Sequence, residues 1–246
     1  MGFFIALQFL TWLPSPVRRP ASAGELGRAQ AYFPLVGFLL GVILVLLDTL
    51  LRAALPPAVA GALLVAALVA LTGGLHLDGL IDSCDGLFAQ RTPAERLAIM
   101  RDSRVGSFGV IGAGVVLLLK YAALVDLEGP VRPVALVLAP VLARWAMVYA
   151  LAGFPYARAA GKGTAFQGHG RRPLLVATLC AALLALALWP ERGLLLLAAV
   201  AVATWLGAHF IAARLGGLTG DSYGALNELA EVLVLIGATV AWRGLP

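Results

Sequence analysis

Long apolar runs, interrupted by Pro, Gly or charge, dominate the pattern of this chain. A membrane-crossing helix needs about 20 such residues, with about 17 near the lower limit. Seven stretches reach or approach that length: 34–51, 54–75, 107–125, 134–152, 174–189, 194–213 and 226–242. The breaks are Pro56-Pro57, the long 76–106 segment, Gly129-Pro130, the 153–173 loop, Pro190 to Gly193, and Gly216 to Tyr223. The fifth stretch is the short one. Ahead of them, MGFFIALQFLTWLP sets Phe3, Leu7 and Leu10 on one helical face and predicts an interfacial helix ending near Pro14. It lacks the basic start and small-residue cleavage site of a secretory leader. The predicted fold class is all-α: a polytopic integral membrane helical bundle of about seven transmembrane helices plus an N-terminal interfacial helix. Residues 1–246 form one membrane domain.

Composition agrees with that pattern. The chain is 61% hydrophobic and 13% charged, against about 25% charged in soluble domains. The deficit runs along the whole length and leaves no room for an appended soluble domain. A net charge of +5 would raise nucleic acid as a partner for a soluble protein. In a membrane protein it reads as basic cytoplasmic loops, and nucleic acid is set aside. Cys84 and Cys180 are far apart and form neither a disulfide framework nor a zinc pattern.

Seven crossings put the chain ends on opposite sides. One face then carries Arg18, Arg19, Arg28, Arg91, Arg96, Arg101, Arg104, Arg158, Lys162, Arg171, Arg172 and Arg214, and the other carries Arg52, Arg132, Arg192 and Arg243. The positive-inside rule makes the richer face cytoplasmic, with the N-terminus inside and the C-terminus in the periplasm. The polar clusters that resemble a reaction site fall on that same face, which the charge count did not require. They can therefore build one site.

The first cluster is GGLHLDGLIDSCDGL, Gly73 to Leu87. Of 13 acidic residues in the chain, Asp78, Asp82 and Asp85 fall within this one stretch. Their i, i+4, i+7 spacing places them on one helical face. Three carboxylates that close repel one another unless a cation sits among them. Oxygen donors without thiolates suit Mg²⁺ or Mn²⁺. His76 is an extra ligand or a proton carrier. The bland alternative is a solvated helix end, but acids beside hydrocarbon are costly unless paired or metal-bound.

Three further clusters join it. RDSRVGSFG, Arg101 to Gly109, offers the planar forks of Arg101 and Arg104 to phosphate oxygens, with Asp102 and Ser103 between them. The loop FPYARAAGKGTAFQGHGRR carries Arg158, Lys162 and His169, without the spacing of a P-loop. GGLTGDSYGALNELAE brings Asp221 in a Gly-rich turn and Asn227, Glu228 and Glu231 entering the last span. Acids entering an apolar span are functional candidates, against the plainer role of capping a helix start. Three charges lie within spans. Lys120 and Arg144 line the site or neutralise buried carboxylates; Asp48, near the far end of its span, snorkels or caps.

Together, these four clusters resemble the cobalamin synthase family, the adenosylcobinamide-GDP ribazoletransferases, along essentially the whole chain. Ser83 and Cys84 stand where Thr and Ala are more common in that family, and Ser107 and Ser222 where Thr often stands. The resemblance implies a late step of vitamin B12 assembly in the bacterial inner membrane. Adenosylcobinamide-GDP is joined to α-ribazole or its 5′-phosphate, giving adenosylcobalamin or its 5′-phosphate and GMP, with Mg²⁺ required. The partners implied are these substrates, the lipid bilayer, and either a second copy of the chain or other cobalamin-assembly enzymes.

Roles within that reaction follow from side-chain chemistry. Asp78, Asp82 and Asp85 hold the metal, Mg²⁺ or alternatively Mn²⁺. Arg101, Arg104 and Lys162 stabilise the phosphate oxygens, and His76 or a spare carboxylate such as Asp82 takes the hydroxyl proton. Asp102, Ser103, Arg158, Asp221, Asn227 and Glu228 contact substrate. A CDP-alcohol phosphotransferase is the nearest rival, but its DxxDGxxAR run is incomplete: Ala89-Gln90 stands where Ala-Arg is required. A cation transporter would carry polar groups at mid-membrane and on both faces.

Overall fold

The computed structural model describes residues 1–158, 166, 171–242 and 244. In chain order the helices are α1 (Gly2–Leu10), α2 (Ala23–Ala29), α3 (Phe33–Ala54), α4 (Pro57–Leu71), α5 (Leu75–Phe88), α6 (Pro93–Ile99), α7 (Ser107–Asp126), α8 (Val131–Gly153), α9 (Arg172–Leu188), α10 (Gly193–Leu215) and α11 (Gly220–Trp242). A single 3₁₀ turn, Gln30–Tyr32, links α2 to α3. The two short polar helices start in the same way. Ser22 with Glu25, and Thr92 with Glu95, form capping boxes that satisfy the first free backbone N–H groups of α2 and α6. Pro56 and Pro57 end α3 in extended backbone at Leu55 and open α4.

α8 is the central helix. It is apolar nearly all round, and it is buried on every side, as such helices are. α3 and α11 pack on it, and α9 and α10 add to the surround. The N-terminal helix forms but ends at Leu10, short of Pro14, and it turns Ile5, Ala6, Leu7 and Leu10 onto the bundle.

The structure corrects the span count. Among the described residues, five helical stretches are long and apolar enough to cross a bilayer: Ala23–Ala54, Ser107–Asp126, Val131–Gly153, Gly193–Leu215 and Gly220–Ala241. The expected 54–75 crossing is not a single straight helix. α4 has 15 residues, about 22 Å at about 1.5 Å per residue, short of an apolar core of about 30 Å. At Gly73 (φ 60°) and Gly74 (φ 70°) the backbone goes left-handed, a conformation glycine adopts without a Cβ penalty. α5 leaves at 90° to α4 and so does not continue its course across the membrane; the pair makes a sixth crossing only when counted as one bent unit. α9, at 17 residues, is the short fifth stretch of the sequence pattern.

A second correction concerns Asp48. It neither snorkels nor caps. Arg132 donates to it twice, Nε to Oδ2 at 2.6 Å and Nη2 to Oδ1 at 2.7 Å. Arg132 also donates to the carbonyls of Leu124 and Leu127 at the end of α7. This buried fork ties α3, α7 and α8 together, so Arg132 is a strut and not a free loop charge.

Candidate active site

α5 presents its acids where it meets α11. A Cβ on Gly79 would lie 2.7 Å from the Asp221 carbonyl oxygen, and one on Gly224 would lie 3.0 Å from the His76 carbonyl oxygen. Only glycine leaves room for this approach. The contact sets the Asp78–Asp82 face of α5 beside Asp221, the second residue of α11.

The loop after α8 supplies the counter-charge. A short backbone bridge pairs Tyr156 with Leu218: Leu218 N–H donates to Pro155 O and Ala157 N–H to Leu218 O, both at 2.8 Å. That clamp holds Arg158 over the start of α11, where its Nη2 donates to Asp221 Oδ2 at 2.9 Å.

The three aspartates of α5 have different surroundings. Asp85 accepts the backbone N–H groups of Gly106 and Gly109, each at 2.8 Å, one on each carboxylate oxygen. It therefore caps the start of α7. Asp82 is half-buried, and its pKa is raised to about 7, first by burial and then by the charges of Asp78, Asp221 and Asp85; Arg158 offsets part of this. Asp78 lines a cavity of about 480 Å³ together with His76, Arg158 and Asp221. An adjoining hollow of about 510 Å³ shares Gln8, Phe9, Leu75 and Asp78 with it and reaches Trp12 and the Gly73–Gly74 hinge.

The other predicted residues divide by depth. Arg101, Asp102, Ser103 and Arg104 lie on the exposed loop before α7. Asp102 and Arg104 pair with each other at 2.7 Å, and the guanidinium holds the Asp102 carboxyl at about 2. Asp102 and Arg104 border a hollow of about 410 Å³ that includes Asp85, which places this loop next to the acidic helix. Asn227 and Glu228 are buried inside the bundle and neither lines the cavity. There, Lys120 donates to Glu228 at 2.7 Å and also to Glu231, while Arg144 and Asn227 donate to the other Glu231 oxygen. Lys120 and Arg144 thus neutralise buried carboxylates. Lys162 and His169 lie outside the described residues.

Among the described residues, no three His, Cys, Asp or Glu side chains converge as a ready-made metal cage. Mg²⁺ does not require one, because it is commonly held by one or two carboxylates plus substrate phosphates. The acid excess that raises the Asp82 pKa is the electrostatic condition a divalent cation relieves. The donor set fits such an ion.

A family model described as cobalamin-5-phosphate synthase matches residues 2–239. The chain belongs to that family. Several relatives of the chain are named adenosylcobinamide-GDP ribazoletransferase. One from Desulforamulus reducens is 42% identical over 96% of each chain. One from Desulfitobacterium hafniense is 44% identical over 96% of this chain and 95% of its own. One from Pseudomonas syringae pv. syringae is 43% identical over 96% of this chain and 98% of its own. No solved structure matches the chain.

In this chain the cavity walls hold residues that sequence reasoning passed over. Phe9 of α1, Phe33 at the start of α3 and Phe166 gather below the carboxylates. Their ring centroids lie 4.8 to 6.1 Å apart. Along the chain they read as ordinary packing positions, and only the tertiary fold turns them toward the acids.

Proposed function

We propose that this mouth between α5 and α11 joins adenosylcobinamide-GDP to α-ribazole or its 5′-phosphate and releases GMP. The relatives' names supply the substrates. The observation that carries the chemistry is the close α5–α11 contact, which gathers Asp78, Asp221 and Arg158 at one cavity and brings Asp82 within reach of their charges.

The ribose 3′-hydroxyl of the acceptor attacks the phosphorus attached to cobinamide. The bond from that phosphorus to the GMP oxygen breaks, and GMP leaves. Asp82, poised at about 7, takes the hydroxyl proton, since a base works best with a pKa near the working pH. Asp78 and Asp221 would hold a Mg²⁺ ion, or Mn²⁺, which would neutralise charge on the pyrophosphate. Arg158 spends Nη2 on Asp221 and keeps Nε buried without a partner among the described residues, a donor suited to a phosphate oxygen. Arg101 and Arg104 reach the nucleotide phosphates from the exposed loop, and the sequence assigns Lys162 the same task. Displacement is direct, because among the described residues no side chain is arranged as an activated nucleophile; trapping a radiolabelled phospho-enzyme would overturn this. The location proposed is the bacterial inner membrane with the mouth on the cytoplasmic face, supported by the arginines that the fold sets beside it, Arg104 next to Asp85 and Arg158 on Asp221.

The deciding assay gives the detergent-purified chain adenosylcobinamide-GDP, α-ribazole and Mg²⁺. GMP release at a rate set by both substrates is expected. Folded protein that releases none sinks the assignment.

A further inference from the structure

The acidic face of α5 meets a hollow at each end. Asp78 lines the cavity of about 480 Å³ together with Arg158 and Asp221. Asp85 borders the hollow of about 410 Å³ before α7, together with Asp102, Arg104 and Phe108. Asp82 stands between the two in the chain and is subject to the charges of Asp78, Asp221 and Asp85. From Asp78 to Asp85 the helix rises about 10 Å, at about 1.5 Å per residue. That is the reach of a nucleoside diphosphate from its base to its outer phosphate.

The second hollow has the parts that hold a base. Phe108 is 48% exposed and Phe88 is 52% exposed, and their ring centroids lie 5.8 Å apart. An exposed aromatic ring beside charge is a stacking platform for a flat heterocycle. Next to it stands the Asp102 carboxylate. Arg104 orients that group, with its backbone N–H donating to Oδ1 at 3.0 Å and its Nη2 to Oδ2 at 2.7 Å. The Arg104 side chain is 88% exposed, and exposed ion pairs contribute little. A ligand can therefore take over the carboxylate and free the guanidinium for a phosphate oxygen. The backbone N–H uses one lone pair, which leaves each carboxylate oxygen able to accept from the ligand.

We propose that this hollow seats the guanine of the corrinoid nucleotide, with Asp102 accepting its N1–H and N2–H and Phe108 stacking on its face. The inference rests on the transferase reading above and deepens it. The polarity match is the discriminating one. Guanine alone among the common bases sets two donors side by side on its pairing edge, and an ionised carboxylate offers two acceptors. Adenine turns a ring acceptor to the same place, which a carboxylate repels. The size fits, because about 410 Å³ falls within the roughly 300–1,000 Å³ of small-molecule sites. With the base held here, the pyrophosphate runs along α5 past Asp82. The phosphorus attached to cobinamide then arrives beside Asp78, Asp221 and Arg158, where the acceptor attacks it.

Nucleoside monophosphates test this as competitive inhibitors of the full chain in detergent, with adenosylcobinamide-GDP as the varied substrate. GMP should bind wild type on the order of tenfold more tightly than IMP, which lacks the N2 amine, and AMP should bind more weakly still. Asp102→Asn offers one acceptor and one donor, the complement of xanthine, which carries a carbonyl where guanine has its amine. That variant should prefer XMP to GMP, a gain of binding that an unfolded protein could not show. Phe108→Ala should weaken GMP, IMP and XMP by similar factors and leave the KM for α-ribazole unchanged. Equal inhibition of wild type by GMP and IMP overturns the proposal without any variant. So does an Asp102→Asn chain that still prefers GMP. If wild type forms no product from the corrinoid nucleotide, the transferase reading falls by itself. Equilibrium dialysis of labelled GMP and XMP then decides the subsite: a preference reversed by Asp102→Asn supports it, and an unchanged preference overturns it.

Discussion

Asp221 and Glu231 sit on the same helix, yet they serve opposite electrostatic arrangements. Around Glu231 the charges balance: Lys120 and Arg144 face Glu228 and Glu231, all buried. Around Asp221 they do not, because Asp78, Asp82, Asp85 and Asp221 all raise or share a potential that Arg158 offsets only in part. A balanced network in hydrocarbon holds helices α7, α8 and α11 in register. An unbalanced one at a cavity has spare negative potential to offer a cation or a proton. Acidic residues near a membrane are therefore to be sorted by whether their charge is already answered.

Substitutions at the two places should separate turnover from folding. The largest effect is expected at Asp82. Asp82→Asn removes the proposed base and should lower turnover by about 10²- to 10⁴-fold. Folding should survive, since the change relieves repulsion. Single-turnover GMP release and the yield of folded protein check both halves, and a variant that loses fold with activity would erase the contrast. Glu231→Gln should do the reverse. It strands Lys120 and Arg144 with less counter-charge, and one-sided loss from a buried pair costs about 3–5 kcal/mol. Unfolding in mixed micelles should show this as a lowered midpoint.

A smaller structural effect is expected from Asp85→Ala, which frees the Gly106 and Gly109 N–H groups. Loss of such a cap costs about 0.5–2 kcal/mol, and faster amide exchange at the start of α7 should report it. The smallest effect concerns pH. As a base, Asp82 works ionised, and its pKa is raised to about 7. Below that value the ionised fraction falls about tenfold per pH unit, so kcat/KM should climb with pH to about 7 and then level. Arg158 lowers this pKa; Arg158→Gln should therefore move the climbing limb to higher pH. A limb that stays in place would detach Asp82 from the mouth's electrostatics.

The sequence pattern made the helical membrane bundle, the acidic helix and its association with Asp221 and Arg158 readable. Apolar run length and i, i+4, i+7 spacing are local properties, and they survive folding. What it hid depends on partners distant in the chain. Asp85 reads like its neighbours until Gly106 and Gly109 are brought to it. Asp48 resembles a span-end residue until Arg132, 84 positions away, forks onto it. Asn227 and Glu228 share a motif with Asp221, but two more helical turns carry them from the mouth into the bundle. The right angle after α4 was marked by Gly73-Gly74, yet glycines signal that a chain can turn, not by how much.

The cap that Asp85 places on α7 has an electrical consequence. The aligned peptide groups of a helix amount to roughly half a positive charge at its N-terminus. Through Gly106 and Gly109 that end of α7 is fastened directly to the acid-rich helix. The fastening gives the carboxylates a permanent partial counter-ion made of backbone, which neither titrates nor dissociates. The mouth can thus hold its excess negative charge between turnovers, when neither metal nor pyrophosphate is there to share it.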